Sequence, residues 1–426
     1  RLGLHAVQFA NHLPQRVRHR GVSARACRRQ TRDDLGQVAR ERLGTCACAR
    51  LRRRVDLRPP ARFGRHAHGP TPLVEGVQDV SLAELKSGLA NGSIALVDVR
   101  ELNEWQAGRI PGATLGIVSA DGKSAVRLVG SAAILPEREA LTRHHWFDLA
   151  SVSKVIATTT MILQLAEQGR LDLDRPLTDA IPDLRQYDVA NAAERKLTFR
   201  DCLAHRSFLP AVEPIYTYGD DPARLRAFVL QREWHHGPPV YSDINFIMLG
   251  IAIERITGAP LSDWPLGDGL SYGPPPGPAV ATEACSWRGR VLKGEVHDEN
   301  AAALGGAPGH AGLFGTVDGV LGFARTMLDG SILSPAMLAQ TRTAQLGHRT
   351  CGWERAFASW SGGDACSTAT IGHTGFTGTS IWIDPAHDRF VVLLTNRVNP
   401  TRANTKISRV RQALADAVVG LVPNER

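Results

Sequence analysis

A serine and a lysine lie three residues apart at the start of a long apolar stretch of this 426-residue chain. The chain has six lysines, and only Lys154 has a serine, Ser151, three positions before it. Apolar residues recur at helical spacing through residues 151–168, which predicts a buried helix that begins at Ser151 and ends before Gly169. Ser151 and Lys154 would then share one helix face, one turn apart.

This spacing is typical of an activated nucleophile. A serine hydroxyl attacks poorly unless a nearby base takes its proton. A helix N-terminus favours developing negative charge, and the neighbours of a buried lysine can shift its pKa. The Ser-x-x-Lys pattern alone is weak evidence, because short patterns arise by chance. The alternative interpretation is a helix cap followed by a surface lysine.

Two fragments further along the chain strengthen the hypothesis. Tyr241-Ser242-Asp243 precedes the apolar run 244–253, which predicts a second buried helix. His373-Thr374-Gly375 lies beside the β-rich runs 378–383 and 389–395, and we expect it at the start of an edge strand. Three fragments in suitable structural contexts are much more specific than one.

The three fragments allow definite roles. Ser151 would attack a carbonyl carbon, with Lys154 and Tyr241 taking and returning the proton. The backbone N–H groups of Ser151 and Phe376 would form an oxyanion hole. The substrate-binding candidates are Asp243, His373, Thr374, Gly375 and Phe376. Tyr241 could instead be a core tyrosine, and His373 an ordinary strand residue.

Composition excludes several function classes. Residues 1–70 contain 17 arginines, no lysine and four acidic residues, so they carry +13, against +8 for the whole chain. The rest of the chain is therefore mildly acidic, and we expect no nucleic-acid partner. No apolar stretch is long enough for a transmembrane helix, and no signal peptide is readable. The adjacent His235 and His236 make no metal-binding pattern, so neither a metal nor another cofactor is expected.

The chain divides into three predicted parts. Residues 1–70 lack an apolar period and are expected to be disordered, although an arginine-rich binding arm is the alternative. Residues 79–113 resemble the first third of a rhodanese domain, through Leu96-Val97-Asp98-Val99-Arg100-Glu101, Glu104-Trp105 and Gly108-Arg109-Ile110-Pro111-Gly112-Ala113. No cysteine lies between Cys48 and Cys202 to carry a persulfide, so we infer no sulfurtransferase activity. Residues 114–426 form the third part.

The third part resembles the class C β-lactamase and penicillin-binding serine hydrolase family. The resemblance rests on Ser151-x-x-Lys154, Tyr241-Ser242-Asp243 and His373-Thr374-Gly375, and on supporting pieces at 203–207, 297–300 and 309–314. It implies an α+β fold, in which helices and an all-helical insertion flank a mostly antiparallel five-stranded sheet. It also implies an acyl-enzyme on Ser151 and a small-molecule or peptidoglycan-peptide substrate.

Two positions depart from the commoner family pattern. Asp243 stands where Asn is frequent, and an ionised carboxylate cannot donate a hydrogen bond to substrate. His373 stands where Lys is frequent, and an ordinary histidine is mostly neutral at pH 7. The segment after Ser262 also looks short of helical sequence. We therefore expect a D-alanyl-D-alanine carboxypeptidase or β-lactamase-like enzyme. A carboxylesterase of short acyl esters or a catalytically impaired penicillin-binding module are the alternatives.

Overall fold

The computed structural model describes residues 110–118, 124–235 and 237–419. All of these belong to one compact unit, residues 76–426. The arginine-rich residues 1–70 and nearly all of the rhodanese-like segment lie outside the described residues. The predicted disorder of residues 1–70 and the three-part division of the chain therefore stay predictions.

Twelve strands occur in the described residues, and fewer than half of them lie where β-rich sequence predicts them. They are β1 (Gly112–Val118), β2 (Ser124–Ala133), β3 (Glu139–Ala140), β4 (Phe147–Asp148), β5 (Leu270–Tyr272), β6 (Ala281–Cys285), β7 (Arg290–Lys293), β8 (Leu313–Gly315), β9 (Glu354–Arg355), β10 (Ile371–Thr374), β11 (Ser380–Asp384) and β12 (Arg389–Thr395).

The main sheet is antiparallel, with strand order β3-β2-β1-β12-β11-β10-β9. Its five central strands are those that the fold prediction requires, so the predicted class is confirmed. The predicted count of five is too low, because the two-residue strands β3 and β9 extend the edges. Strands this short contain no apolar alternation from which they could be predicted.

Four of the eight described α-helices lie between β4 and β5. A 3-10 turn (Ala150–Val152) leads into a π-helical segment (Lys154–Thr159) and then into the first α-helix. The α-helices are α1 (Thr160–Glu167), α2 (Phe199–Leu203), α3 (Pro222–Gln231), α4 (Asp243–Thr257), α5 (Glu299–Ala303), α6 (Val317–Asp329), α7 (Pro335–Arg342) and α8 (Ile407–Val419). None of the described helices is long and apolar enough to cross a membrane.

Alternating side chains give the main sheet two apolar faces. Leu115 and Ile117 of β1 and Leu393 of β12 pack with the C-terminal helix α8 on one face. The opposite face packs on the larger core, where α6 comes so close to β1 that a Cβ on Gly116 would lie 2.9 Å from Leu321. Both faces of the sheet are therefore covered, and the site forms at one end of β10 and β11.

The first strand begins earlier than the sequence resemblance suggests. Gly112 and Ala113, which the sequence assigns to the rhodanese-like segment, pair with Gly130 and Val129 within the main sheet. The Gly112 N–H donates to Asn396 Oδ1 at 2.7 Å. These two residues thus belong to the main sheet, and the predicted boundary at residue 114 stays a prediction.

The segment after α4 contains no α-helix until α5 among the described residues. Gly258, at φ 75, ends α4 in the left-handed conformation that glycine adopts readily. The chain then forms a short 3-10 turn, strand β5 and the β6–β7 hairpin. This part of the wall beside the site is therefore built from strands and loops, as its helix-poor sequence indicates.

Candidate active site

Ser151 lies in the tight turn directly after β4. Ala150, immediately before it, has φ 46, a left-handed conformation that is uncommon for residues with a side chain. Its N–H donates to Asp148 Oδ1 at 2.8 Å, which holds this turn in place. Unusual backbone of this kind concentrates at functional sites. The turn presents Ser151 at the beginning of the long helical stretch, as the sequence predicts.

Lys154 is fully buried beside Ser151. Its Nζ donates to Ser151 Oγ at 3.0 Å and to the His310 carbonyl oxygen at 2.9 Å, and it lies 2.7 Å from Asp243 Oδ1. Burial disfavours the ammonium, but the charge of Asp243 and the nearby Tyr241 oxygen outweigh burial and raise the pKa of Lys154. The resting lysine is therefore a cation that donates to two oxygens and forms an ion pair with Asp243.

Tyr241 lies against the same lysine. Lys154 Nζ is 5.0 Å from the centroid of the Tyr241 ring, and the ring of His205 is 4.5 Å away. Burial raises the pKa of Tyr241, although the neighbouring Lys154 and Ser151 favour its ionised form. The hydroxyl is thus neutral at rest and sits beside both members of the Ser-x-x-Lys pair, where it can carry a proton between them.

Asp243 lies beside Lys154, and its substrate-binding role stays a prediction. It is the first residue of α4, and its carboxylate faces Lys154 as an ion pair. The preceding Ser242 is held by its N–H to His205 Nδ1 at 3.0 Å. This bond makes Nδ1 of His205 an acceptor, and burial keeps the pKa of His205 well below its usual value. His205 is thus a neutral residue that orients the second fragment.

His373 lies near the end of β10, not at the start of an edge strand as expected. Strand β9 pairs outside β10, so β10 is an inner strand. His373 Nδ1 is 2.9 Å from the Thr374 carbonyl oxygen, so Nδ1 carries the hydrogen and Nε2 is an acceptor. Burial lowers the pKa of His373 to about 4, although the negative charge of Glu354 favours the protonated ring. His373 is therefore neutral at pH 7 in the unliganded site.

The turn after β10 contacts the turn that carries Ser151. Thr379 Oγ1 donates to the Leu149 carbonyl oxygen at 2.9 Å, and Thr377 Oγ1 donates to that of Asp148 at 2.7 Å. A Cβ on Gly375 would lie 2.5 Å from the Leu149 oxygen, so only glycine fits there. The structure thus brings Gly375 and Phe376 next to Ser151.

The side chains around Phe376 form one wall of the site. The Phe376 ring is half exposed, stacks on His297 at 5.7 Å between centroids and lies under the guanidinium of Arg397 at 4.4 Å. Thr374 is partly buried and pairs with Ser380 across the sheet. These contacts, with the 6.0 Å between the ring centroids of Tyr241 and His373, bring the eight predicted site residues close together.

Sequence reasoning missed a permanent cation on the other wall. The Arg349 guanidinium carbon lies 5.2 Å from the centroid of the Tyr241 ring, and Nη1 lies 3.2 Å from Glu354 Oε1. Arg349 belongs to the turn before β9 and has no motif around it. Only the tertiary contact with Tyr241 shows that it belongs to the site.

A second group that the sequence left as structural surrounds Lys154. His310 Nε2 lies 2.9 Å from Asp298 Oδ1, and Asp298 also caps α5 through the N–H of Ala301. Burial alone would raise the pKa of Asp298, but the His310 ring outweighs burial and lowers it. This pair fixes the position of the His310 carbonyl group that accepts from Lys154.

One group among the described residues has the ligand types and spacing of a metal site. Ligand atoms of Asp243, Asp298 and His310 lie within 4.8 Å of one another. The ammonium of Lys154 already lies against Asp243 and would repel a metal cation. The group therefore fits a lysine better than a metal ion.

Comparisons with known proteins show which family the chain resembles. A family model described as Beta-lactamase matches residues 98–415. A Bacillus subtilis (strain 168) protein named "N-acetylmuramyl-L-alanine amidase" is 30% identical over 299 residues, which cover 59% of this chain and 68% of that protein. A Salmonella agona (strain SL483) protein named "Putative D-alanyl-D-alanine carboxypeptidase" is 30% identical over 315 residues, which cover 63% and 73%. These matches do not support the rhodanese-like segment.

Solved structures share the fold at lower identity. EstCE1, titled "a hydrolase with promiscuous acyltransferase activity", aligns with TM-score 0.59 and 22% identity, covering 80% of this chain and 98% of its own. A class C β-lactamase from Rhodobacter sphaeroides aligns with TM-score 0.55 and 17% identity, covering 80% and 100%. The chain belongs to the Beta-lactamase family and is a serine hydrolase.

Proposed function

We propose that the protein forms an acyl-enzyme on Ser151 and cleaves the terminal amide of a D-alanyl peptide, as a D-alanyl-D-alanine carboxypeptidase does. The observation that carries this proposal is the buried ammonium of Lys154, 3.0 Å from Ser151 Oγ and beside Tyr241. A buried lysine and a tyrosine hydroxyl next to one serine form a proton-transfer system. The names of the two relatives support a substrate from peptidoglycan.

Acylation needs a base, and the resting lysine cannot accept a proton. Its raised pKa makes Lys154 an ammonium at rest, so it must first release one proton to solvent water. Ser151 Oγ then attacks the carbonyl carbon, and its proton passes through Lys154 and Tyr241 to the leaving nitrogen as the C–N bond breaks. The acyl group remains on Oγ as an ester. Water cleaves this ester, returns a proton to Oγ and releases the shortened peptide as a carboxylic acid.

The oxyanion of the tetrahedral intermediate is assigned to the N–H groups of Ser151 and Phe376. The contacts of Thr377 and Thr379 with residues 148 and 149 support this, because they join the two turns that carry these donors. Preorganised donors of this kind supply a large share of the rate enhancement in acyl transfer.

A carboxylate-bearing substrate fits the charges of the cleft. Its negative charge would be attracted by Arg349, whose guanidinium lies over the Tyr241 ring. Neutral His373 leaves Arg349 as the permanent cation on that wall. A terminal D-alanine carries such a carboxylate, as do penicillins.

A second candidate function is carboxylesterase action on short acyl esters. The neutral state of His373 favours it, because the position where Lys is frequent in the family has no charge to select acids. The experiment is to incubate the full chain with a D-alanyl-D-alanine peptide, a fluorescent penicillin and a short-chain ester chromogen. Released D-alanine supports the proposal, and ester turnover alone supports the esterase. Penicillin labelling without turnover of any substrate supports an impaired binding module.

A further inference from the structure

Arg411 is a buried cation with no ion-pair partner among the described residues. It lies on α8, only 7% of its surface is exposed, and all of its described hydrogen bonds go to neutral oxygens. Burial, together with the nearby charge of Arg397, lowers its pKa to about 9, so it remains charged at neutral pH. Burying a charge without an opposite charge beside it lowers the free energy of unfolding. We therefore expect the three hydrogen bonds of Arg411 to serve a function.

Those hydrogen bonds converge on the turn that follows β10. Arg411 Nη2 donates to the carbonyl oxygens of Gly375 and Thr379, each at 2.7 Å, and Nε donates to Ser380 Oγ at 2.6 Å. One planar guanidinium therefore holds both ends of the turn 375–380. Its fork geometry allows this, whereas a lysine has a single donor nitrogen.

The carbonyl group of Gly375 and the N–H of Phe376 belong to the same peptide unit. In a planar trans peptide these two groups point in opposite directions. A cation on the carbonyl oxygen therefore fixes the direction of the N–H at the other end. It also polarises the peptide, since hydrogen bonds in a chain strengthen one another. Arg411 thus acts on the Phe376 N–H through the carbonyl group at the other end of the same peptide unit.

A second arginine holds the following peptide. Arg397 Nε donates to the Phe376 carbonyl oxygen at 2.7 Å, and Nη1 donates to the carbonyl oxygens of Arg402 and Asn404. The peptide units on both sides of Phe376 are therefore bonded to guanidinium groups. Phe376 itself is half exposed, so packing of its own side chain cannot fix its backbone this firmly.

We propose that Arg411 is a positioning residue of the oxyanion hole, which orients and polarises the Gly375–Phe376 peptide so that the Phe376 N–H stabilises the tetrahedral intermediate. This inference rests on the proposed function, because it requires acyl transfer at Ser151. It adds a residue from the C-terminal helix that touches neither the substrate nor Ser151.

The test uses Arg411→Lys, which keeps the charge but loses the fork, and Arg411→Met, which removes the charge. Arg389→Lys is the matched control, because Arg389 is equally buried but bonds Asp384 at the opposite end of β11. Each variant is assayed for the acylation rate with a fluorescent penicillin and an ester chromogen. The affinity for a boronic acid, which mimics the tetrahedral intermediate, is measured beside that for a planar competitive inhibitor.

We expect Arg411→Lys to lower the acylation rate about 10- to 100-fold and to weaken boronic acid binding by a similar factor, since loss of one oxyanion donor costs about 10²–10³-fold. KM and binding of the planar inhibitor should change little. Arg411→Met should lose at least as much. If Arg411→Met does not fold, Arg411→Lys decides.

Two outcomes overturn the inference. One is a folded Arg411→Lys enzyme with unchanged acylation rate and boronic acid affinity. The other is an equal loss in Arg389→Lys, which would mean that any buried arginine matters. Ser151→Ala, run in parallel, tests the proposed function separately. Acylation that survives Ser151→Ala removes the proposed function, whereas wild-type rates in Arg411→Lys remove only the inference.

Discussion

Lys154 Nζ lies 2.7 Å from Asp243 Oδ1, so the two side chains form an ion pair. The pair stabilises the ammonium form of Lys154, which donates to Ser151. Asp243 therefore sets the pH range in which Lys154 can accept a proton.

Asp243→Asn should extend activity to lower pH. The negative charge of Asp243 raises the pKa of Lys154, so its removal lowers that pKa and yields more neutral lysine at a given pH. The acid limb of the kcat/KM profile should move to lower pH, with severalfold faster acylation near pH 7. Because the pKa of wild-type Lys154 lies above its ordinary value, the measurement is a pH–rate profile of acylation that extends from about pH 6 to about pH 11.5. The exposed Asp263→Asn is the control, and an unmoved acid limb would refute this role of Asp243.

Arg349→Gln should raise KM selectively for substrates that carry a carboxylate. Loss of a charged hydrogen-bond donor costs about 1.5–3 kcal/mol, or about 10- to 100-fold in KM for a D-alanyl peptide or a penicillin. KM for a neutral ester should stay within about twofold. The control is Arg355→Gln, on β9, whose guanidinium bonds the Thr368 carbonyl oxygen. Equal losses on acidic and neutral substrates would show that Arg349 shapes the cleft without binding a carboxylate.

Gly375→Ala should damage both stability and activity. The added Cβ would lie 2.5 Å from the Leu149 oxygen and would also meet the Thr379 hydroxyl, so the two turns must separate. We expect a loss of about 1–3 kcal/mol in the free energy of unfolding and a much slower acylation. Gly322→Ala is the control, because it lies exposed in α6 with nothing within 4 Å of the new Cβ. The measurement is urea denaturation of both variants. A Gly375→Ala variant as stable as the wild type would contradict the packing argument.

The sequence predicts what depends on local spacing. Ser151 and Lys154 meet because they are one helical turn apart, and the buried residues of α4 follow from a continuous apolar run. The antiparallel pairing of β11 and β12 follows from two apolar runs around a short polar turn. These features need no long-range information.

Long-range features escape such reasoning. Arg349 meets Tyr241, and Arg411 meets Gly375, across more than thirty residues of sequence, and neither arginine has a local motif. The charge state of His373 depends on burial that no spacing reveals. The sequence did not predict the ion pair between Asp243 and Lys154, because only folding brings α4 against the π-helical segment.

The central claim is that Ser151 becomes acylated, and its most direct test is mass spectrometry of the protein after incubation with a fluorescent penicillin or an organophosphonate. Ser153→Ala is the matched control, because the Ser153 hydroxyl bonds the Ala150 carbonyl oxygen at 2.6 Å and accepts from the Leu313 N–H at 3.1 Å, inside the core. The account predicts an adduct on the peptide that contains Ser151, lost in Ser151→Ala and kept in Ser153→Ala. An adduct that survives Ser151→Ala, or that maps to Ser153 or Ser242, would contradict it.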